Sequence, residues 1–187
     1  MRKSNLFIVS GPSGAGKGTL IKKLMDSVSD AWLSVSCTTR DPRDGEVPDV
    51  SYHFMDQEAF DTLALEDGFL EWANYTNHSY GTPRKPVEDA LAAGKQAILE
   101  IDVQGAFQVK DKMPEAHMIF IEPPSLDVLH TRLVQRGTDS EEAIERRMAT
   151  AVKELSEKDA YDICIVNDDL DEAFDQLIGY INQQANN

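Results

Sequence analysis

The sequence predicts an α/β fold in which helices flank a central parallel sheet, with an inserted subdomain. Three observations predict it. Short apolar runs rich in Ile and Val alternate with stretches of helical period, one segment interrupts that alternation, and 187 residues are enough for one domain with a sizeable core. Fully apolar runs are typical of strands that helices bury on both faces, as in a parallel sheet.

Five apolar runs are the candidate strands of this sheet: residues 6–9, 32–36, 96–101, 118–121 and 163–166. Two apolar stripes with helical spacing predict helices that pack on the sheet. The first stripe is Leu20, Ile21, Leu24, Met25 and Val28, and the second is Leu170, Phe174, Leu177, Ile178 and Ile181. We interpret both stripes as core contacts.

The alternation breaks over residues 37–82, which carry Pro and Gly turns, short aromatic strands and one helix near residues 56–66. We expect this segment to be inserted at the edge of the sheet. Further on, Asp139 and Glu142 fit a capping box that opens a helix ending near Ser156. The predicted single domain therefore has a core of residues 1–36, 83–135 and 157–187, an insertion of residues 37–82 and a separate short segment of residues 136–156.

The composition restricts the partners of the chain. Its formal net charge is −15, whereas a nucleic-acid face needs a basic stripe. No apolar run is long enough to span a bilayer, and the N-terminal run is too short for a signal peptide. Cys37 and Cys164 match no metal spacing, which favours reduced thiols in an intracellular compartment. We therefore expect a cytoplasmic protein with no nucleic-acid or membrane partner, and leave open whether it is an oligomer.

A glycine-rich loop lies between the first predicted strand and the first predicted helix. Its sequence, GPSGAGK at residues 11–17, fits the G-x-x-x-x-G-K frame in the setting that this frame requires. The glycines let backbone N–H groups and a helix N-terminus face phosphate oxygens, and Lys17 adds a positive charge. The expected binding residues for a nucleoside triphosphate are Gly11, Pro12, Ser13, Gly14, Ala15, Gly16, Lys17, Gly18 and Thr19.

The loop departs from its frame immediately after the lysine. The frame expects Ser or Thr there to hold Mg²⁺, but Gly18 takes this position and Thr19 comes one residue late. Mg²⁺ often keeps its water and is held through substrate phosphates. We therefore expect phosphates and water to hold the ion, with Thr19 and Asp102 as candidate protein ligands.

The inserted segment carries the residues that would bind a second substrate. Arg40 and Arg43 are three residues apart and suited to one phosphate group, to which Tyr52 and Tyr80 could donate their hydroxyls. Glu71 interrupts an apolar strand, where a carboxylate is costly unless it has a partner. A phosphate loop alone does not separate a motor, a switch and a kinase, so this second site decides the function.

Five separated stretches resemble the guanylate kinases in order and spacing. They are the phosphate loop; SVSCTTRDPRDGEV at 34–47 with YHF at 52–54; FLEW at 69–72 with YGTP at 80–83; IDVQG at 101–105; and VNDDL at 166–170. The resemblance covers nearly the whole chain. It implies a P-loop kinase fold, with transfer of the γ-phosphoryl group of ATP to GMP in the presence of Mg²⁺, and leaves dGMP as a substrate open. It also implies that residues 136–156 form a short lid that carries Arg136 and Arg147, and that Asn167 and Asp168 contact ATP.

Guanine would complement the polar residues of the insertion. Its N1–H and 2-amino group are adjacent donors that match the Glu71 carboxylate, and Ser36 could donate to O6, whereas adenine lacks the 2-amino group. Asp102 follows the strand that ends near Glu100, where ligands of open α/β sheets bind. It could contact guanine or metal-bound water, or cap the next helix. The predicted GMP site is Ser36, Arg40, Arg43, Tyr52, Glu71, Tyr80, Gly81, Thr82 and Asp102.

Phosphoryl transfer of this kind needs alignment and charge neutralisation, and no general base, because the acceptor phosphate is already ionised. The predicted catalytic residues are Lys17, Arg40, Arg43, Arg136 and Arg147. Arg147 shares a helical stripe with Ile144 and Ala151, so we expect it to point inward. Three alternatives stay open: a related kinase acting on a phosphorylated ribose, a kinase with adenylate-type specificity, and a phosphopeptide-binding module without catalysis.

Overall fold

The fold is described from a computed structural model, which covers residues 2–75, 77–135, 137 and 140–187. The strands are β1 (Asn5–Ser10), β2 (Ala31–Leu33), β3 (Cys37–Thr38), β4 (His53–Phe54), β5 (Phe69–Tyr75), β6 (His78–Pro83), β7 (Gln96–Glu100), β8 (His117–Glu122) and β9 (Ile163–Val166). The helices are α1 (Lys17–Ser27), α2 (Gln57–Leu65), α3 (Arg84–Ala92), α4 (Val103–Lys112), α5 (Leu126–Gln135), α6 (Glu141–Ser156) and α7 (Leu170–Asn186).

The central sheet is parallel, as the apolar runs predict, and its strand order is β2-β7-β1-β8-β9. Successive side chains of β1 alternate between two cores because strand residues point to opposite faces. Phe7 and Val9 pack with the apolar stripes of α1 and α7, whereas Leu6 and Ile8 pack with residues of α3 and α4. Helices thus cover both faces of the sheet.

Two details of the predicted core are wrong. The strand expected over residues 32–36 ends at Leu33, because the chain then leaves the central sheet and the carbonyl of Ser36 accepts from the N–H of His53 in the insertion. Leu170 was expected in the buried stripe of α7 but is 38% exposed, while Ala173 is fully buried. Leu170 is the first residue of this helix and directly follows its N-cap.

The insertion forms a second sheet of four strands in the order β4-β3-β6-β5. The expected helix is present as α2, and its N-cap Asp56 accepts a hydrogen bond from the N–H of Ala59. Phe60 of this helix stacks on Phe69 of β5, with ring centroids 4.4 Å apart. The strands of this sheet are therefore held against α2 by an aromatic core.

The N-cap of α6 is one residue later than predicted. Ser140 caps it and accepts from the N–H of Ala143, whereas the predicted cap Asp139 lies outside the described residues. Arg136 of the predicted lid lies outside them as well. Ile144 and Ala151 pack on Leu129 and Leu133 of α5. Within the described ranges, no helix is long and apolar enough to cross a membrane.

Candidate active site

The glycine-rich loop joins β1 to α1 and is closely packed against the end of the central sheet. A Cβ atom at Gly11 would lie 2.0 Å from the carbonyl oxygen of Ile121. Gly16 caps α1 with a φ of 93°, and a Cβ there would lie 2.2 Å from Nδ2 of Asn167. Only glycine fits such positions, so the loop keeps its backbone at the N-terminus of α1, where anions bind.

Two of the predicted catalytic cations lie at this loop. The ammonium group of Lys17 donates to the carbonyl oxygens of Gly11 at 2.6 Å and Pro12 at 3.2 Å. A guanidinium nitrogen of Arg147 donates to the hydroxyl of Ser13 at 2.7 Å. The expectation that Arg147 points inward is wrong, because its side chain is exposed and extends from α6 to the loop. Its contact with Ser13 places its charge at the phosphate loop.

A cavity of about 450 Å³ extends from the phosphate loop to the insertion. Lys17 lines it on one side, and Ser36 and Tyr52 line it on the other. A second cavity, of about 380 Å³, lies beside Gly18 and Thr19 and shares Lys17 with the first. The two cavities are therefore neighbours at the phosphate loop, and the larger one reaches three residues of the predicted acceptor site, Ser36, Tyr52 and Asp102.

The residues predicted to bind the acceptor phosphate cluster around Arg40. Its guanidinium lies 4.9 Å from the ring centroid of Tyr52 and 5.8 Å from that of Phe54. The rings of Tyr52 and Tyr80 meet edge to face with centroids 6.1 Å apart. Arg40 is 8% exposed, whereas Arg43 is exposed on the loop that follows. Thus Arg40 is fixed among aromatic rings and Arg43 extends into solvent.

Glu46 is a member of this cluster that the sequence reasoning missed. Its two carboxylate oxygens accept from Nη1 and Nη2 of Arg40 at 2.7 and 2.6 Å, and one of them also accepts from the backbone N–H of Arg43 at 2.8 Å. These donors lower the pKa of Glu46 to about 2 and raise the pKa of Arg40. The signal was present in the sequence, because Asp44-Gly45 is a turn that brings the next residue back toward Arg40.

The predicted guanine-reading residue, Glu71, lies on β5 with its side chain against Gly105 of α4. Glu71 is 8% exposed, and the hydroxyl of Thr82 donates to its Oε1 at 2.6 Å. Burial raises the pKa of Glu71, which favours a bound partner with N–H donors. Asp102 caps α4 by accepting from the N–H of Gly105 at 2.8 Å, so the helix-capping alternative for this residue is confirmed. Asp102 also lines the larger cavity, which keeps its second role open.

Two further predicted residues have structural contacts. The side-chain amide of Asn167 is buried and donates to the carbonyl of Ala15 at 2.8 Å, so it holds the phosphate loop. Asp168, beside it, is exposed. Gly81 is buried on β6, where a Cβ would lie 2.9 Å from that of Trp72. The glycine at 81 is therefore required by strand packing.

Glu154 is a second residue that the sequence reasoning missed. It lines the larger cavity from α6, and burial raises its pKa to about 7 despite the nearby positive charge of Lys17. It lies three residues after Ala151, which is buried in the stripe of this helix. Extending the helical period by one step from Ala151 would have identified it.

The oxygen groups beside the phosphate loop are of the kind that Mg²⁺ binds. Across the described ranges, no three His, Cys, Asp or Glu residues are grouped to hold a metal by themselves. Thr19, Glu100 and Asp102 border the two cavities, and a Cβ at Gly18 would be 4.0 Å from the nearest oxygen of Glu100. Hard oxygen donors with room for water suit Mg²⁺.

Comparisons with known proteins agree on one family. The family model described as guanylate kinase matches residues 3–184. The chain is 49% identical to the guanylate kinase of Synechococcus sp. (strain CC9902) over 96% of each chain. It is also 49% identical to that of Syntrophomonas wolfei, over 96% of this chain and 92% of the relative. The crystal structure of guanylate kinase from Anaplasma phagocytophilum matches with a TM-score of 0.77 and 31% identity, over 99% of this chain and 88% of that one. The chain therefore belongs to the guanylate kinase family.

Proposed function

We propose that the protein transfers the γ-phosphoryl group of ATP to the phosphate of GMP, giving ADP and GDP. The observation that carries this proposal is the cavity that extends from the phosphate loop to Ser36 and to Tyr52 of the insertion. Family membership makes the chain a nucleotide kinase. No finding favours a phosphorylated ribose or a phosphopeptide as its substrate or ligand.

Catalysis would rest on alignment and charge, since the acceptor phosphate is already a nucleophile. Lys17 and Arg147 would neutralise the phosphates of ATP from the loop side, where both already lie. Arg40 and Arg43 would hold the phosphate of GMP from the insertion. Mg²⁺ on the ATP phosphates would neutralise further charge, with Thr19, Glu100 and Asp102 holding it directly or through water.

Guanine would be selected by Glu71. The carboxylate would accept from the N1–H and 2-amino groups of guanine, while Thr82 already donates to its other side. Adenine would leave this buried carboxylate without donors, and sites built on such polar complementarity discriminate by about 10⁴-fold. We also propose a cytoplasmic location, which the two free cysteines, Cys37 and Cys164, support.

The test is ADP formation from MgATP with GMP, AMP, UMP or a ribose phosphate as acceptor. The wild type is compared with Glu71→Ala and with the shape-matched Glu71→Gln, after thermal melts have shown that all three fold. We expect turnover with GMP alone and a large loss of it in both variants. Turnover with only the sugar phosphate would show that GMP is not the acceptor. No turnover with any acceptor would favour the alternative of a phosphopeptide-binding module without catalysis.

A further inference from the structure

Arg40 already holds a carboxylate in the geometry that a phosphate would require. An arginine has five N–H donors. On Arg40, Nη1 donates to the backbone carbonyl of Asp41 and to Glu46, and Nη2 donates to the other oxygen of Glu46. The fork formed by the two terminal nitrogens is therefore occupied. A phosphate that reached Arg40 would meet only the side edge of the guanidinium, where Nε and the second hydrogen of Nη2 remain.

Glu46 is held in place by more than Arg40. Its carboxylate also accepts from the N–H of Arg43 at 2.8 Å, and its own N–H donates to the carbonyl of Arg43 at 3.0 Å. Gly45 allows this tight turn with a φ of 85°. Displacing the carboxylate would break hydrogen bonds to a charged group, which are among the stronger ones in proteins. Glu46 is thus built into the loop and is not a temporary occupant of the site.

Arg43 has the complementary arrangement. Its backbone is fixed by both hydrogen bonds to Glu46, yet its side chain is exposed. Within the described part of the chain, its guanidinium makes no hydrogen bond. The complete fork of this arginine is therefore available to an anion, at the end of a side chain whose base is fixed.

We propose that Glu46 is a positioning residue for the acceptor phosphate. Its carboxylate holds Arg40 in place as a nearby positive charge, and it fixes the backbone of Arg43, whose side chain binds the phosphate. This inference rests on the proposed function. It assigns the two arginines different tasks, because Arg40 offers its charge and only its side-edge donors, whereas Arg43 offers its complete set of donors. It also assigns a task to a carboxylate that would otherwise repel the substrate.

The test compares the wild type with Glu46→Gln, which keeps the shape of the side chain and removes its charge. Initial rates are measured with GMP varied at saturating MgATP and then with MgATP varied at saturating GMP. Calorimetric titration with GMP alone gives the affinity without turnover. Glu122→Gln is the matched control, since Glu122 is a similarly covered carboxylate 2.8 Å from Lys158 and lines neither cavity.

We expect Glu46→Gln to raise the KM and the Kd for GMP by about tenfold or more, the loss typical of one charged hydrogen bond. The KM for ATP should stay within about twofold, as an effect through the arginines predicts. The increase should be smaller in an Arg40→Met background than in the wild type, because interacting residues are not additive. The Glu122→Gln control should leave both KM values unchanged.

Several results would overturn the inference. A lower KM for GMP in Glu46→Gln would mean that the carboxylate competes with the substrate, and an unchanged value would mean that it has no role. A parallel rise in both KM values would indicate a general structural defect. If the wild type binds GMP without turning it over, the proposed function fails while calorimetry still tests the role of Glu46. If the wild type neither binds GMP nor turns it over, the proposed function and the role of Glu46 both fail.

Discussion

Gly105 packs against the carboxylate of Glu71, so a methyl group added there would disturb the proposed guanine site and have little effect on the fold. It lies in the first turn of α4, directly against the side chain of Glu71. A Cβ atom at this position would lie 2.9 Å from Oε2 of Glu71 and 3.2 Å from its Cδ. Because Oε1 is held by the hydroxyl of Thr82 at 2.6 Å, Gly105→Ala would force the carboxylate to shift by a few tenths of an ångström.

The magnitude follows from two opposing effects. Alanine inside a helix is more stabilising than glycine by about 1 kcal/mol. This gain offsets much of the strain of moving the carboxylate of Glu71. Misplacing a charged acceptor costs about 1.5–3 kcal/mol for the hydrogen bonds that it makes. We therefore expect Gly105→Ala to keep a near wild-type melting temperature and to raise the KM for GMP by about 10- to 100-fold.

The assay is steady-state kinetics with GMP and MgATP varied in turn, beside thermal melts. Gly179→Ala is the matched control, because Gly179 lies in α7 and a Cβ there would meet nothing within 4 Å. This control should raise the melting temperature slightly and change neither KM. An unchanged KM for GMP in Gly105→Ala would refute the argument that the position of Glu71 sets recognition of GMP.

Three further predictions concern the phosphate loop and the cavity. Gly16→Ala should abolish turnover and lower the melting temperature, because its Cβ would collide with Nδ2 of Asn167 at 2.2 Å in a backbone conformation with positive φ; wild-type turnover would refute this. Gly18→Ser should fold normally, because the atom nearest to the added Cβ is an oxygen of Glu100 at 4.0 Å. It should need less Mg²⁺ for half-maximal rate, because it restores the hydroxyl that the phosphate-loop motif has after its lysine. A higher Mg²⁺ requirement would contradict this prediction. Burial raises the pKa of Glu154 from 4.5 to about 7, so its folded form keeps the proton longer than the unfolded chain and loses stability as pH rises through that window. In urea melts, the free energy of unfolding of Glu154→Gln should therefore equal that of the wild type near pH 4.5 and exceed it by about 1–3 kcal/mol near pH 8. An equal gain at both pH values would contradict the raised pKa of Glu154.

The sheet was predictable because its signal is local. Apolar runs such as the one in β1 and the stripe of α1 follow from burial on both faces, and the structure has them buried as expected. The end of β2 was not predictable in the same way. Residues 34–36 are as strand-like as those before them, but the chain turns there to pair Ser36 with His53. That pairing depends on contacts distant in sequence.

The site was predictable where residue types carry chemistry by themselves. The phosphate loop and Arg40 fall into this group. Glu46 was missed because a carboxylate near two arginines in an acidic chain is hard to distinguish from a surface charge, and only the turn at Gly45 brings it onto Arg40. The exposure of Arg147 was missed for a different reason: a helical stripe predicts which face a residue shares and does not predict how far a long side chain extends.

The charge of the whole chain makes these local arrangements necessary. A protein with a net charge of −15 repels anionic substrates at long range. Recognition of nucleotides therefore has to come from short-range contacts with cations that specific neighbours hold in place. Lys17 bonds to loop carbonyls, Arg147 bonds to Ser13, and Arg40 is held by Glu46. An acidic protein can bind two anions in this way because the protein has fixed these positive charges before the substrates arrive, so less ordering remains to oppose binding.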